Sequence, residues 1–173
     1  VAVHCVTREA LILPLVALAD AGPTGHDRIE HAAIVPPDLI DELVRLRVTV
    51  GTQPGVLADR GHDYLREVDP ADHDNLYRCA SLIDAGVPVA LSSDAPYGPL
   101  DPAEIIDAAV PRRVPGGRIA GPSERVTAAD AAGRLRTRAR GSPARLVRGA
   151  PADLVIRDSS GLTHAVIAGE MVR

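Results

Sequence analysis

Short apolar runs alternate with longer segments of helical spacing over residues 1–110 of the chain. The apolar runs, which predict strands, are VAVHC (1–5), DRIEHAAIV (27–35), RVTVGTQP (47–54) and VPVALSSDAP (87–96). The segments that predict helices are TREALILPLVALADAG (7–22), PPDLIDELVRL (36–46), ADHDNLYRCASLIDAG (71–86) and DPAEIIDAAV (101–110). Thr7 and Asp101 are N-cap candidates. Strands separated by helical crossovers pair in parallel, so the pattern predicts an α/β fold on a parallel sheet.

Residues 55–70 interrupt the alternation with a polar stretch that has no clear period. A connection of this length inside a compact domain is usually functional or mobile, so we expect a loop here. His62, Asp63 and Tyr64 lie on it. They form either a lid over a site or an ordinary solvated loop.

The tail of the chain has a different pattern. A last helix is predicted to begin at Thr127, and short apolar runs at 152–156 and 165–167 then predict strands, with a turn at Gly169 before a final run. This is a small all-β appendage rather than another strand–helix unit. The predicted domains are 1–148 and 149–173.

Composition narrows the class of protein. The net charge of −4 offers no basic surface for nucleic acid. No apolar run approaches the roughly 18 residues of a membrane helix, and the opening does not resemble a signal peptide. All 19 basic residues are Arg, so the chain has no lysine for a Schiff base or a carboxylated bridge. Two cysteines, Cys5 and Cys79, are too few for a disulfide framework and are expected to be buried apolar filler, which favours a reducing, cytoplasmic location.

Three of the predicted strands end in a metal-capable side chain: His4, His31 and Asp94. The carboxyl ends of parallel strands meet at one rim of a sheet, where α/β proteins build their sites. Two imidazoles and a carboxylate form a competent zinc ligand set, and a carboxylate beside a metal-activated water can move its proton. The alternatives are hydrogen-bonded structural histidines and an Asp94 that caps the turn before Pro96.

Two further residues are candidates for substrate contact. Gln53 ends the third predicted strand and points toward the same rim, or is simply a polar strand end. Tyr97 follows Asp94 closely and either lines the pocket or packs against its neighbours.

Four stretches together resemble the amidohydrolase superfamily, in particular its amidohydrolase-3 branch of metal-dependent hydrolases. They are VAVHCVTREAL, DRIEHAAIVPPDLI, VTVGTQPGVL and GVPVALSSDAPYGPLDP, in that order along the chain. GAPADLVI near the end is similar to the segment by which the family's chain returns to its small β-sandwich. The resemblance runs from Val1 to about Val172.

The resemblance implies a (β/α)8 TIM barrel whose enzymes hydrolyse carbon–nitrogen bonds in small non-peptide amides with a divalent metal, most simply zinc. His4 then matches the metal-binding His at the end of strand five, and His31 the one at the end of strand six. Asp94 matches the Asp at the end of strand eight, which is both a metal ligand and the catalytic proton shuttle.

Two family features are missing from this sequence. It contains no His-x-His pair of the kind that grips the metal from the first strand, and no Lys for the fourth. The chain therefore resembles the carboxyl-terminal half of the barrel, strands five to eight with their helices, followed by part of the β-sandwich.

Four strands cannot close a barrel of eight, which leaves three hypotheses. The chain is a fragment of a metal-dependent hydrolase whose function belongs to the complete barrel. Alternatively, it pairs, as a homodimer or with a complementing N-terminal half, to close the barrel. The third hypothesis is a catalytically inactive α/β module that binds a partner. In each case the open sheet is expected to expose an apolar inner face, which marks an interface.

Overall fold

The computed structural model describes residues 1–136, 146–158 and 161–172. The chain forms two compact units, Val1–Pro143 and Ala144–Arg173, each with its own sheet. None of the helices in the described ranges combines the length and the apolar character that crossing a membrane requires.

The first unit contains a parallel sheet with helices between its strands, which confirms the predicted α/β class. The strands, hydrogen-bonded in this order, are β1 (Ala2–Cys5), β2 (Arg28–His31), β3 (Thr49–Thr52) and β4 (Val89–Leu91). The helices are α1 (Arg8–Ala21), α2 (Pro37–Leu46), α3 (Pro54–Glu67), α4 (Ala80–Asp84), α5 (Pro102–Ala109) and α6 (Ala128–Leu135). Short 3₁₀ helices lie at Pro70–Asn75 and Pro122–Glu124.

Side-chain caps fix where three of these helices begin. Thr7, Asp101 and Thr127 each accept a hydrogen bond from a first-turn N–H, at 3.1, 2.8 and 3.1 Å. Such a cap satisfies one of the backbone donors that a helix leaves without a partner at its amino end. All three positions are those that the sequence predicts.

Apolar side chains of the helices pack on one face of the sheet. Leu11 and Leu15, one turn apart on α1, are buried in one cluster with Ile29 of β2. Cys5 and Cys79 lie fully buried in the same cluster as free thiols, which confirms the expectation that they are core filler. This apolar layer fixes the position of the strands whose ends carry the candidate residues.

The predicted loop at 55–70 is wrong, because most of this stretch is helix α3. Pro54 stands at the first helical position, where its missing N–H costs nothing. Gly55 and Gly61 weaken the sequence signal for a helix, but both allow close packing. A Cβ atom at Gly55 would lie 2.5 Å from Pro99 Cδ, and one at Gly61 would lie 2.2 Å from Val114 Cγ1. Tertiary contact therefore overrides the local preference.

The helix predicted over 71–86 is also only partly correct. The structure divides the segment into the 3₁₀ helix Pro70–Asn75 and the short helix α4, with an irregular stretch between them. Tyr77 in that stretch has a φ of 42°, in the left-handed region that a bulky side chain seldom adopts. The backbone is held there by a buried arginine, Arg112, which binds the carbonyl oxygens of Leu76 and Tyr77.

The other face of the sheet is polar, which corrects the expectation of an apolar inner face. Side chains alternate along a strand, so Arg28 and Glu30 point away from the buried Ile29 between them. Arg28 Nε lies 2.6 Å from Glu30 Oε1. Gly51 makes room for this pair, because a Cβ atom there would lie 2.2 Å from Glu30 Oε2. His4 pairs with Glu30 in the register of β1 and β2 and lies on the same face.

The second unit is a three-stranded antiparallel sheet. Its strands are β5 (Leu154–Asp158), β6 (Gly161–Ile167) and β7 (Glu170–Val172), paired in that order. Gly169, with a φ of 87°, lies in the turn between β6 and β7, as the sequence predicts. The strand predicted at 165–167 begins earlier than expected, because β6 also pairs along the length of β5.

Candidate active site

Three side chains from separate strand ends meet at the carboxyl edge of the parallel sheet. The rings of His4 and His31 are in edge contact, with centroids 4.4 Å apart and planes at 73°. His31 Nδ1 lies 3.9 Å from Asp94 Oδ2. The structure therefore brings together the three residues that the sequence predicts as metal ligands.

Left-handed backbone turns aim two of these side chains. His31 has a φ of 69° and Asp94 a φ of 53°. In a regular strand His31 would face the same side as the buried Ile29, whereas the turn at its φ ends β2 and sets its ring against His4. Non-glycine residues in this region each cost on the order of 1–3 kcal/mol and concentrate at functional sites. The rest of the fold offsets this cost and holds the side chains of His31 and Asp94 in their orientation.

The turn that carries Asp94 is closed by its neighbours. The Ser93 hydroxyl accepts a hydrogen bond from the Ala95 N–H at 3.2 Å, and the Asp94 carbonyl accepts one from the Tyr97 N–H at 2.8 Å. Gly98 is required in this turn, because a Cβ atom there would lie 2.3 Å from the Ser93 carbonyl oxygen. The turn is thus capped by Ser93, which leaves the Asp94 carboxylate directed toward His31.

A cavity of about 430 Å³ opens beside these three residues. Its lining residues are His4, Val6, His31, Val56, Arg60, Tyr64, Tyr77, Asp94 and Tyr97. The volume is in the range of sites for small organic molecules. The candidate ligands thus face a space that a small substrate can occupy.

Helix α3 forms one wall of the cavity. Val56, Arg60 and Tyr64 are four residues apart, which places them on one face of the helix, and all three line the cavity. The guanidinium carbon of Arg60 lies 5.3 Å from the centre of the Tyr97 ring. The wall therefore offers an apolar, a cationic and a hydroxyl group in successive turns.

Two tyrosines close the inner end of this wall. The hydroxyl oxygens of Tyr64 and Tyr77 lie 2.7 Å apart, and the rings are edge to face with centroids 5.4 Å apart. Burial, followed by the hydrogen bond to Tyr64, raises the pKa of Tyr77 well above its usual range. Tyr77 therefore remains a neutral hydroxyl at any physiological pH.

The two predicted substrate contacts lie in different places. Tyr97 lines the cavity and is more than half exposed. Gln53 is almost completely buried, and its amide nitrogen donates to the Gly51 carbonyl at 3.2 Å and to Ser92 Oγ at 2.9 Å. Gln53 is not among the cavity-lining residues, because these bonds hold its side chain against the ends of β3 and β4. Its contact with substrate stays a prediction.

The three candidate ligands suit a metal by chemistry but do not by themselves enclose one. Within residues 1–136, 146–158 and 161–172, no group of three or more His, Cys, Asp and Glu side chains is arranged to hold a metal ion. Ligand atoms that share a tetrahedral ion with bonds of about 2.1 Å lie about 3.4 Å apart. The 3.9 Å between His31 Nδ1 and Asp94 Oδ2 is wider than this. The structure therefore contains the three predicted donor side chains close together, but their positions do not form a complete coordination sphere.

A second group of charged residues, Arg78, Arg112 and Glu124, is buried and does not line the cavity. Glu124, 1% exposed, forms an ion pair with Arg78 and accepts hydrogen bonds from the N–H groups of Cys79 and Ser81, both at 3.0 Å. Burial opposes its charge, but the hydrogen bonds from Ser81 and the charge of Arg78 outweigh it and lower the pKa of Glu124. Glu124 thus caps the start of α4 as an anion.

Arg112 is the most buried cation of this group, at 1% exposure. Its guanidinium donates to the carbonyl oxygens of Leu76, Tyr77 and Ala120 at 2.8, 3.0 and 2.8 Å. Burial raises the pKa of the neighbouring Cys79 thiol to about 11, so that thiol is neutral at pH 7. The three carbonyl bonds of Arg112 therefore hold the backbone at Tyr77 in the conformation that places the Tyr77 side chain in the cavity wall.

The predicted elements give no sign that Arg60 and Tyr77 line the cavity, since Arg60 lies in the predicted loop and Tyr77 in a predicted helix. Tyr64 is predicted only as part of a lid over a site or of a solvated loop, whereas it lines the cavity from helix α3. The four-residue spacing of Val56, Arg60 and Tyr64 is the signal that would have revealed the wall, once residues 55–70 are read as helical.

Comparison with known proteins identifies the family. The sequence profile of the amidohydrolase family matches residues 1–166. The chain therefore belongs to the amidohydrolase family, as its motifs predict. N-substituted formamide deformylase of Arthrobacter pascens is 34% identical over 105 residues, 60% of this chain and 19% of that protein. The putative amidohydrolase YtcJ of Bacillus subtilis (strain 168) is 31% identical over 118 residues, 65% of this chain and 22% of that protein.

Two solved structures share the fold. An uncharacterised metal-dependent hydrolase from Pyrococcus furiosus aligns with a TM-score of 0.65 at 28% identity, and one from Pyrococcus horikoshii OT3 with 0.66 at 26%. Each alignment covers 78% of this chain and 27% of the other. The chain thus spans about a fifth of the length of the two sequence relatives and about a quarter of these structures.

Proposed function

We propose that this chain supplies part of the active site of a metal-dependent hydrolase that cleaves carbon–nitrogen bonds in small non-peptide amides. The observation that carries the proposal is the meeting of His4, His31 and Asp94 beside one cavity at the carboxyl edge of the sheet. Two solved relatives are named metal-dependent hydrolases, and one sequence relative is named an N-substituted formamide deformylase. Loss of a formyl group from such a formamide breaks a carbon–nitrogen bond.

His4, His31 and Asp94 are the residues that would hold the metal, and zinc suits two imidazoles and a carboxylate. A bound divalent ion supplies Lewis acidity and lowers the pKa of water to about 7. The resemblance places further ligands on a first-strand His-x-His pair that is not in this sequence. We therefore propose that the coordination sphere is completed by the other half of a barrel.

The protein's own contribution to the reaction centres on Asp94. Its carboxylate accepts a proton as the water oxygen bonds to the amide carbon, and returns that proton to the nitrogen when the carbon–nitrogen bond breaks. The products are a carboxylic acid and an amine. The Arg60–Tyr97 stack and the Tyr64–Tyr77 pair bound the space in which the substrate is oriented.

The other half of the barrel has two possible sources in this proposal: a complementing N-terminal half, in the same or another chain, or a second copy of this chain. The (β/α)8 barrel that the resemblance implies has eight strands, and the parallel sheet described here has four, with β1 and β4 at its edges. Only the first source brings a first-strand His-x-His pair, so we favour it.

Zinc titration of the 173-residue chain, followed by NMR of the histidine side chains, tests the ligand assignment. We expect zinc to shift the imidazole resonances of His4 and His31 first. His26 and His164 are exposed and serve as internal controls. Equal shifts of all histidines, or none at His4 and His31, would contradict the assignment.

Two variants extend this test to the reaction. Asp94→Asn should weaken zinc binding, whereas His26→Ala should leave it unchanged. Hydrolysis of N-methylformamide, followed as formate release, should be weak or absent in this chain alone, because ligands are missing. Turnover by the chain that persists in Asp94→Asn would show that Asp94 is not the proton carrier.

A further inference from the structure

Arg60 differs from the other arginine on the same helix in how its charge is balanced. Arg66, also on α3, contacts Asp63 at 2.7 Å and Glu67 at 2.9 Å, so its helix neutralises it. Among the described residues no carboxylate lies within ion-pair distance of Arg60, although Arg60 faces the cavity. Its counter-ion must therefore come from solvent or from a ligand.

The contact with Tyr97 leaves the hydrogen-bonding edge of Arg60 free. The guanidinium carbon stands over the ring at 5.3 Å from its centre. Within the described residues Arg60 donates no hydrogen bond to a protein group, so the five N–H donors of its guanidinium are available to a ligand in the cavity that it lines. Tyr97 thus steadies Arg60 without consuming its donors.

The Tyr64–Tyr77 pair adds a second donor on the same wall. The two hydroxyls carry two protons, and their mutual hydrogen bond at 2.7 Å uses one of them. The second O–H remains able to donate into the cavity that both rings line. Tyr64 follows Arg60 by one helical turn, so their Cα atoms are about 6 Å apart along the axis of α3, and both side chains line the cavity.

The carboxylate that lines the cavity, that of Asp94, forms no ion pair with Arg60 among the described residues. Asp94 lies 3.9 Å from His31, on the sheet side of the cavity. The α3 side therefore presents a cation and a hydroxyl without a matching anion. A planar carboxylate is the group that fits a guanidinium edge best, because it accepts two parallel N–H bonds.

We infer that the substrate carries a carboxylate, which binds Arg60 with Tyr97 stacked behind it, while its amide group faces His4, His31 and Asp94. The ligand class is a small amide that bears an anionic group, and Arg60 is the residue that selects for it. This inference rests on the proposed function for the reaction, but the anion site itself requires only the cavity wall.

The test is a binding comparison between N-acetylglycine and its neutral analogue N-acetylglycinamide, measured by NMR titration of the 173-residue chain. We expect the acid to bind about tenfold more tightly than the amide, as a charge-assisted bond in a partly open site predicts. Arg60→Gln should remove this preference, and Arg60→Lys should restore part of it. Arg66→Gln, on the same helix but internally paired, should keep it unchanged.

The inference fails if the chain shows no preference for the acid, or if the preference survives in Arg60→Gln while the variant keeps the circular dichroism spectrum of the parent. Its failure is distinguishable from failure of the proposed function. Loss of the zinc response at His4 and His31 with an intact Arg60-dependent preference would refute the hydrolase site alone. An intact zinc response without the preference would refute the anion site alone.

Discussion

The α/β unit contains two sets of charged side chains with opposite bonding. Outside the cavity lining, Glu124 and Arg112 are buried and have protein partners for their polar groups. The charged groups at the cavity have fewer protein partners. His31 and Asp94 lie 3.9 Å apart, and the guanidinium carbon of Arg60 lies 5.3 Å from the centre of the Tyr97 ring. Buried charge must be paired to be tolerated, whereas charge with spare bonding capacity is available to a ligand. The first set is expected to carry stability and the second set function.

Removal of the buried guanidinium should have the largest effect. Arg112→Met leaves the carbonyl oxygens of Leu76, Tyr77 and Ala120 without their donor, which should lower the free energy of unfolding by about 3–5 kcal/mol. Urea denaturation measures this loss. Arg113→Met is the matched control, because Arg113 is exposed, and it should cost less than about 0.5 kcal/mol. Similar losses in both variants would show that burial and the three carbonyl bonds give Arg112 no special role in stability.

Packing behind the cavity wall should have the next largest effect. Gly61→Ala places a Cβ atom 2.2 Å from Val114 Cγ1 and should cost about 1–3 kcal/mol by overpacking. Gly133→Ala is the control on helix α6, since no atom of the described residues lies within 4 Å of its Cβ position, and should stabilise by about 0.4–1 kcal/mol. Thermal unfolding compares the two. An unchanged Gly61→Ala would mean that α3 is not held by this contact.

The buried anion should make stability depend on pH. The pKa of Glu124 is lower in the folded chain than its ordinary value of 4.5, so the folded state favours the charged form. Its contribution is present above pH 4.5 and is lost as the pH falls through the lowered folded-state pKa. Glu124→Gln should therefore be less stable than the parent at pH 7, and the difference should shrink with acid. A constant difference in urea midpoint between pH 7 and pH 3 would contradict this.

Substitution at the cavity should have the smallest effect on stability. Asp94→Asn keeps a residue that tolerates the left-handed φ of 53° and should change the free energy of unfolding by less than about 0.5 kcal/mol. Asp94→Ala lacks that tolerance and should cost about 1 kcal/mol. The same urea series gives both values. A loss in Asp94→Asn as large as that in Arg112→Met would show that the cavity set is structural after all.

Local chemistry made a large part of this molecule predictable. Thr7, Asp101 and Thr127 cap helices where the sequence places them, because an N-cap needs only a side-chain oxygen and the next turn of backbone. The parallel sheet followed from the alternation of apolar runs with helical segments. His4, His31 and Asp94 meet because parallel strands bring their carboxyl ends to one edge.

Two failures of prediction have different causes, one long-range and one local. Residues 55–70 are polar and contain two glycines, yet they form most of α3, because Gly61 lets the helix approach Val114. The open sheet face is polar, because Arg28 and Glu30, two residues apart on β2, pair on it. The contact of Gly61 leaves no signal in the spacing of apolar residues along the chain, whereas the alternation of Arg28, Ile29 and Glu30 is visible there.

The amino-acid sequence alone thus determined the order of the parallel strands, the family and the three residues at the strand ends, since each depends on local periodicity or on short motifs. Only the tertiary structure decided that Arg60 and Tyr64 face a cavity and that Arg112 holds Tyr77 in it. It also set the left-handed turn that aims His31 at His4. Burial, close packing and charge pairing depend on contacts between residues that are distant in the chain, so they are established only when the chain folds.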